Sequence, residues 1–301
     1  MVVETQPNST ESQRAAANAP LLSVVIPAYN EERTIARVVR SVLATEIPCR
    51  MEVIVVDDCS TDSTGMEIEP LAASHAVRYL RLRENSGKGA ALRAGFAVAR
   101  GTFVLVQDAD EEYDPRDYPA LLEPLLDGRA LVVYGSRVIN EHCRPGRRFT
   151  NPYWWGGRTL TLIANMLFWP CRISDEAVCY KVVRTDILRT IPLRCAGFEF
   201  CPELTAKLSR RGIPIYNVPI RYSPRSASEG KKIRARHWLE AVGTLLRYRL
   251  TSDQGPIADF VASPPLTESD SGPGRIVNAA PQYWGQRSAL RSSGRMSAVR
   301  L

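Results

Sequence analysis

Residues 22–137 predict an α/β fold on a doubly wound, mostly parallel sheet. Three observations carry that expectation. Short β-branched apolar runs alternate with segments of helical period; the runs are apolar throughout, as in strands covered on both faces; and each run ends in a polar cluster. In such sheets a ligand lies in the crevice at the carboxyl ends of the strands.

Leu22–Pro27 reads as the first buried strand. Asn30 follows as the expected cap of a helix with Glu31 and Glu32 in its first turn, and Ile35, Val38, Val39, Val42 and Leu43 form that helix's apolar face. A second strand over Glu52–Val56 ends at Asp57-Asp58, and a third over Val77–Leu82 leads to Asn85-Ser-Gly-Lys-Gly89, which opens a helix to Arg100. A fourth strand, Thr102–Gln107, ends at Asp108-Ala-Asp110; Pro115 precedes a helix through Leu126. A fifth, Leu131–Tyr134, ends at Gly135-Ser-Arg137. Five strand ends thus bring Tyr, Asp, Lys, Asp and Arg towards one crevice.

The expected domain covers residues 21–250, with residues 1–20 and 251–301 as tails; the second is rich in Ser, Pro, Gly and Arg without a periodic apolar face. Hydrophobic residues make up 45% and charged residues 24% of the 301, which excludes a disordered chain, a collagen or a coiled coil. Lys and Arg number 39 against 32 acidic residues, a net +7 that suits a phosphate-bearing or anionic-membrane partner. Seven cysteines without a C-x-x-C pair argue for free thiols in a reducing cytosol rather than a zinc site or disulfide framework. The first twenty residues lack the basic start and apolar stretch of a signal peptide. The longest mostly apolar run, Leu160–Trp169, is far shorter than the ~20 residues of a spanning helix. The expectation is a cytoplasmic protein that lies on a membrane's inner face rather than crossing it.

Asp108 and Asp110 place two carboxylates at a buried strand's end, and Glu112 offers a third oxygen. Such a set suits Mg²⁺ or Mn²⁺, which prefer oxygen ligands and share their remaining positions with diphosphate oxygens; as an isolated pattern it also fits a solvated turn. Asp57-Asp58 either caps the following helix with Ser60, Thr61 and Asp62 or accepts from a nucleobase N–H or ribose hydroxyl. Lys88, between Gly87 and Gly89 at a helix start, is either a surface lysine or a phosphate contact. A Walker A loop, a G-x-G-x-x-G turn and a G-x-S-x-G elbow are all missing, and three histidines leave little room for a His-based triad or metal site.

Four segments in this order, Ser23-Val-Val-Ile-Pro-Ala-Tyr-Asn-Glu-Glu32, Val53-Ile-Val-Val-Asp-Asp-Cys-Ser-Thr-Asp62, Asn85–Phe96 and Val106-Gln-Asp-Ala-Asp110, resemble the family-2 glycosyltransferases. Gly135-Ser-Arg137, Ile173-Ser-Asp-Glu-Ala-Val-Cys-Tyr-Lys181, Gly197-Phe-Glu-Phe-Cys-Pro-Glu203 and the basic loop Arg225–Lys231 resemble the dolichyl- or polyprenyl-phosphate mannosyltransferase branch. That branch often has Gly where Cys179 stands and Gln where Glu112 stands.

The resemblance, over residues 21–250, implies the Rossmann-like glycosyltransferase-A fold and a nucleotide-sugar donor, GDP-mannose first, with its diphosphate on Mg²⁺ or Mn²⁺. By position, Pro27, Tyr29, Glu31, Val56 and Asp58 line the base and ribose pocket. Asp108, Ala109, Asp110 and Glu112 line the metal and diphosphate, and Arg137, Arg225, Lys231 and Lys88 meet phosphates. Asp110, Asp175 and Arg137 carry the chemistry; Asp175 orients sugar hydroxyls or acceptor, or else merely caps a turn. The implied acceptor is a polyprenyl phosphate. It is ionised near pH 7 and attacks in line without a general base, inverting the anomeric carbon. A rival enzyme would use UDP-glucose or UDP-N-acetylglucosamine and a hydroxyl acceptor in polysaccharide or glycolipid synthesis, with Glu199 or Glu203 as base. A nucleotidyltransferase or a non-catalytic nucleotide-sugar binder fits less well.

The stretch Trp154, Trp155, Leu160, Leu162, Ile163, Met166, Leu167, Phe168 and Trp169 is either a core helix or an interfacial one. Arg221–Arg249 carries eight basic residues against two acidic ones and ends on an apolar face of Trp238, Leu239, Val242, Leu245 and Leu246. Anionic headgroups fit that charge; nucleic acid does not, because no recognition module accompanies it.

Overall fold

The computed structural model describes residues 19–139, 152–225 and 235–251. Both expected tails, apart from Ala19, Pro20 and Thr251, lie outside these residues, as does Lys231. The strands are β1 (Leu21–Ala28), β2 (Arg50–Asp57), β3 (Arg78–Arg81), β4 (Phe103–Val106), β5 (Val132–Ser136), β6 (Lys181–Arg184) and β7 (Tyr216–Pro219). They form one sheet in the order β3-β2-β1-β4-β6-β5-β7. Only β6 runs antiparallel, against both β4 and β5. The doubly wound, mostly parallel sheet expected from the sequence is therefore present.

β6 and β7 carry too little signal to be read in advance. Each is four residues long; Lys181-Val-Val-Arg184 has charged ends, and Tyr216–Pro219 ends on a proline. The central strands are unmistakable because both faces are covered: Val24, Val25, Ile26 and Val53–Val56 are buried.

The helices are α1 (Ile35–Leu43), α2 (Thr64–Ala73), α3 (Lys88–Val98), α4 (Tyr118–Leu126), α5 (Pro152–Leu167), α6 (Thr185–Arg189), α7 (Phe200–Arg210) and α8 (Ala235–Leu250). α1 begins later than expected. Asn30 is not its cap but a left-handed residue (φ 51°), a conformation Asn tolerates. Its Oδ1 accepts from Thr61 N–H at 2.8 Å, and its N–H donates to Ser60 Oγ at 3.0 Å. Glu31 and Glu32 thus lie before α1, with the Glu31 carbonyl accepting from Ile35 N–H at 3.0 Å. α3 lies tightly on the sheet: Gly95 has no room for a Cβ beside Val25 and Val56. At its start, Gly87 has φ +91° and backs onto the Ala196 carbonyl, so both conformation and space demand glycine.

Candidate functional site

The loops after β1, β2, β4 and β5 meet at the carboxyl edge of the sheet. The loop after β1 is fastened to that after β4, since Thr34 Oγ1 donates to Ala109 O at 2.7 Å. An isolated antiparallel bridge between Tyr113 and Tyr222 lays residues 222–225 along the β4 loop. Ser223 N–H donates to Glu112 O at 2.9 Å, and Arg225 N–H to Glu112 Oε1 at 2.8 Å.

This bridge delivers Arg225. Its guanidinium is 3.2 Å from Asp110 Oδ2 and 3.3 Å from the Glu31 carboxylate. Glu112, expected beside the two aspartates, is put to another use: Oε2 accepts from Tyr222 Oη at 2.7 Å and Oε1 from the Arg225 backbone. Asp108 pairs with Lys88 Nζ, which also lies 3.1 Å from Cys179 Sγ and over the Phe198 ring. Burial would lower the Lys88 pKa, but the Asp108 charge overrides it and holds the ammonium well above its ordinary value.

Asp58 faces the glycine loop. Its two oxygens accept from Ser86 N–H and Gly87 N–H, both at 2.7 Å, so it fixes the turn that presents Lys88. Burial pushes its carboxyl above the usual range even though these amides favour the charged form. Asp57 is the capping member of the pair: Oδ1 accepts from Ser60 N–H at 2.8 Å, and Oδ2 from Tyr79 Oη and Arg81. Val56 is fully buried, so only its backbone, in register with Pro27, borders this edge. Tyr29 stands beside it, over a third exposed.

Arg137 extends from β5 and forks onto Asp175, with Nε to Oδ2 at 2.7 Å and Nη2 to Oδ1 at 2.8 Å; its own N–H adds a third bond at 3.1 Å. Its other side lies over the Tyr222 ring, 4.9 Å from the centroid. Asp175 is 3% exposed and therefore stands behind Arg137, where it sets the guanidinium's angle. Burial would raise its carboxyl, but the Arg137 charge outweighs this and holds it below the ordinary range.

The edge therefore combines Asp108 and Asp110 with Lys88, Arg137 and Arg225. Among the described residues no three acidic, His or Cys side chains converge on one point. The hard oxygen donors still fit Mg²⁺ or Mn²⁺ of the kind that takes one or two carboxylates and completes its shell with phosphate oxygens and water. Here the Lys88 ammonium faces Asp108 and the Arg225 guanidinium faces Asp110.

Sequence reasoning missed Tyr222, Cys201 and Glu176. Tyr222 lies in none of the motif segments, and Cys201 and Glu176 stand inside such segments without being singled out; they matter through the surroundings that folding gives them. Glu176 is fully buried beside Asp175, and neither of its oxygens has a hydrogen-bond partner among the described residues. Of the rival base candidates, Glu203 is fully buried and engaged by Lys207, Tyr248 and the backbone of Arg194 and Cys195. Glu199 accepts from Gly197 N–H at 3.0 Å.

Residues 23–191 match the model for glycosyl transferase family 2. The chain is similar to the undecaprenyl-phosphate mannosyltransferase of Micrococcus luteus, 33% identical over 69% of this chain and 85% of that one. It is also similar to the dodecaprenyl-phosphate galacturonate synthase of Rhizobium johnstonii, 29% identical over 62% of this chain; it spans about half (54%) of that relative's length. In fold it resembles the glucosyl-3-phosphoglycerate synthase of Mycobacterium tuberculosis, solved with Mn²⁺ and uridine diphosphate. The TM-score is 0.57 at 23% identity, covering 84% of this chain and 88% of that one. With the family motifs spread over the sheet's carboxyl edge and these relatives on either side, the chain belongs to glycosyl transferase family 2.

Proposed function

We propose that the protein transfers a hexose, mannose from GDP-mannose, to the phosphate of a polyprenyl phosphate at a membrane surface, inverting the anomeric carbon. The observation that carries this reading is the pairing of Lys88 with Asp108 and of Arg225 with Asp110, with Arg137 following β5 at the same edge of the sheet. A donor diphosphate and an acceptor phosphate together bring several negative charges into one crevice. Arginine forks and a metal-binding carboxylate pair answer that charge. Mg²⁺ or Mn²⁺ on Asp108 and Asp110 would supply charge neutralisation for the departing nucleoside diphosphate. Arg225, between Asp110 and Glu31, is within reach of the same phosphates, and Arg137 is fixed by Asp175 to face the acceptor. A phosphate acceptor needs no general base, in keeping with the structural duties of Glu203. The Micrococcus relative supports mannose; the Rhizobium relative, a galacturonate synthase by name, makes the sugar the finer question.

The lipid reading rests on α5 and α8, which lie together: Trp238 Nε1 donates to Gly156 O at 3.0 Å. α5 has a core-facing side and an outward-facing one. Leu160, Ala164 and Phe168 are buried, while Leu162, Met166 (72% exposed) and, just beyond the helix, Trp169 (70%) point outward. On α8, Leu245 is buried, and Leu239 (66%) and Leu250 are exposed near Arg236, Arg247 and Arg249. Among the described residues no helix is long and apolar enough to cross a membrane. Exposed apolar side chains with arginines close by in the sequence suit an interface of anionic headgroups instead.

The test is an incubation of purified protein and Mg²⁺ or Mn²⁺ with labelled GDP-mannose, UDP-glucose or UDP-N-acetylglucosamine, with and without polyprenyl phosphate. Butanol-extractable label from GDP-mannose, dependent on the prenyl phosphate, is expected. Label from another donor would replace the sugar, and label found only in hydroxyl acceptors would overturn the reading.

A further inference from the structure

Asp175 sits in an irregular segment between α5 and β6, so the backbone around it must find hydrogen-bond partners outside the sheet ladder. Two asparagines supply them. Asn165, on α5, takes both polar groups of Ile173: Nδ2 donates to Ile173 O at 2.7 Å, and Oδ1 accepts from Ile173 N–H at 2.8 Å. Asn217, on β7, takes the groups on either side of that residue. Its Nδ2 donates to Arg172 O at 3.0 Å, and its Oδ1 accepts from Ser174 N–H at 2.9 Å and from Ser174 Oγ at 2.8 Å. Residues 172–174 are thus bonded as a strand is between two neighbours, with one side-chain amide standing in for each.

We propose that Asn165 and Asn217 are positioning residues for the transfer: they clamp residues 172–174 between α5 and the sheet, and through Asp175, the next residue, they set the angle of the Arg137 guanidinium. A side-chain amide is the chemistry this needs, because it carries a donor and an acceptor side by side, as a peptide unit does. Beyond Asp175 the segment is tied down again: Glu176 N–H donates to Thr161 Oγ1 at 3.0 Å, and Glu176 O accepts from Lys181 Nζ at 3.1 Å. Asp175 is therefore held from both directions where it meets the Arg137 fork.

α5 serves two surfaces at once. Arg158, Thr161 and Asn165 follow one another at spacings of three and four, and this stripe grips residues 173–176, Arg158 Nη1 donating to Ser174 O at 3.3 Å. Leu162 and Met166 each stand one position further on, about 100° round the helix, and are exposed. The helix that offers an apolar face to lipid is the one that holds the counter-ion of Arg137.

The clamp is independent of the proposed function; its effect on the acceptor rests on that function, and the experiment separates the two. Amide hydrogen exchange is read by NMR in the full-length protein and in Asn165→Ala, Asn217→Ala and Asn217→Asp. The Arg137 N–H donates to Asp175 and reports on the fork, while the Asn30 N–H, bonded to Ser60 Oγ, is the control. In each alanine variant the Arg137 N–H should exchange about fivefold faster, the scale of one lost net hydrogen bond, with Asn30 unchanged. Asn217→Asp keeps the acceptor that Ser174 uses and should shift Arg137 in the same direction by less; it carries the test if Asn217→Ala does not fold. In the alanine variants kcat/KM for the prenyl phosphate should fall about tenfold, alike on vesicles and on a short soluble acceptor. Affinity for GDP with Mn²⁺ should stay at the wild-type value. Arg137 exchange at the wild-type rate would overturn the clamp, and so would equal acceleration of Arg137 and Asn30, which is the mark of general destabilisation. Faster Arg137 exchange with wild-type acceptor kinetics would overturn the positioning role. A wild-type protein inert towards prenyl phosphate would count against the proposed function alone, because the exchange rates do not depend on it.

Discussion

Arg137 and Asp175 meet through a two-pronged fork at 2.7 and 2.8 Å, and the Arg137 backbone N–H closes a third bond onto the same carboxylate. The pair is nearly out of water, with side chains 21% and 3% exposed. Removing Asp175 takes from the buried Arg137 guanidinium its two-pronged carboxylate partner, so Asp175→Ala should lower unfolding stability by ~3–5 kcal/mol. Arg137→Lys keeps the charge but loses the fork. It should fold with a smaller stability loss than Asp175→Ala yet show a clear drop in kcat. Urea unfolding of both variants, with rates for the lysine variant, checks the assignment. A lysine variant with wild-type turnover would show that the fork's geometry is not used.

Asp110→Asn should abolish most transfer while leaving the fold intact. The carboxylate is 22% exposed on a loop and pairs with Arg225 rather than with the core. Its loss removes counter-charge for the diphosphate's metal, several kcal/mol of transition-state stabilisation. Circular dichroism should match wild type, and Mn²⁺ binding in the presence of nucleotide should weaken. Near-normal turnover at saturating metal would remove Asp110 from the metal site.

What the sequence disclosed follows the same physical division. Continuous apolar runs announce β1, β2 and β4 because burial on both faces leaves no alternative pattern. Asp108 and Asp110 were legible because they follow such a run directly. Glu112 was not, because a residue two positions on can turn either way, and here the Tyr113–Tyr222 bridge draws it towards residues 222–225. Asn30 was misread since its side chain binds Thr61, a residue far along the chain, and no local rule anticipates that. Asp58 was placed at the right edge, yet its bonds to Ser86 and Gly87 depend on β2 and the glycine loop meeting in space.

Arg225→Ala separates a phosphate contact from a membrane contact. The side chain is 16% exposed and bonded to Asp110 and Glu31, so it belongs to the crevice. The variant should lose about one to three orders of magnitude in kcat/KM, roughly 1.4–4 kcal/mol. The loss should be equal on a short water-soluble prenyl phosphate and on vesicles. Trp169→Glu, at the outward apolar face, should instead lose vesicle binding and keep activity on the soluble acceptor. Losses confined to vesicles for Arg225→Ala would move it to the membrane face.

Glu176 gives the fold a specific response to alkali. Burial pushes its carboxyl up to about 8 although Lys181 lies close enough to oppose the shift. The Thr205 hydroxyl beside it pairs with Tyr134 Oη at 2.9 Å. The sign follows from proton binding in the two states. Below the unfolded carboxyl value both states are protonated, and Glu176 costs nothing. As pH rises through that value only the unfolded chain releases the proton, so stability falls. The fall ends near pH 8, where the folded state ionises too, and the loss stays constant above it. Glu176→Gln cannot ionise, so its stability advantage over wild type should grow between about pH 5 and about pH 9, by a few kcal/mol in order of magnitude. Urea midpoints for the two proteins across this range check it. Parallel curves would mean that Glu176 is already ionised in the folded protein at neutral pH, with Lys181 rather than a retained proton as its compensation.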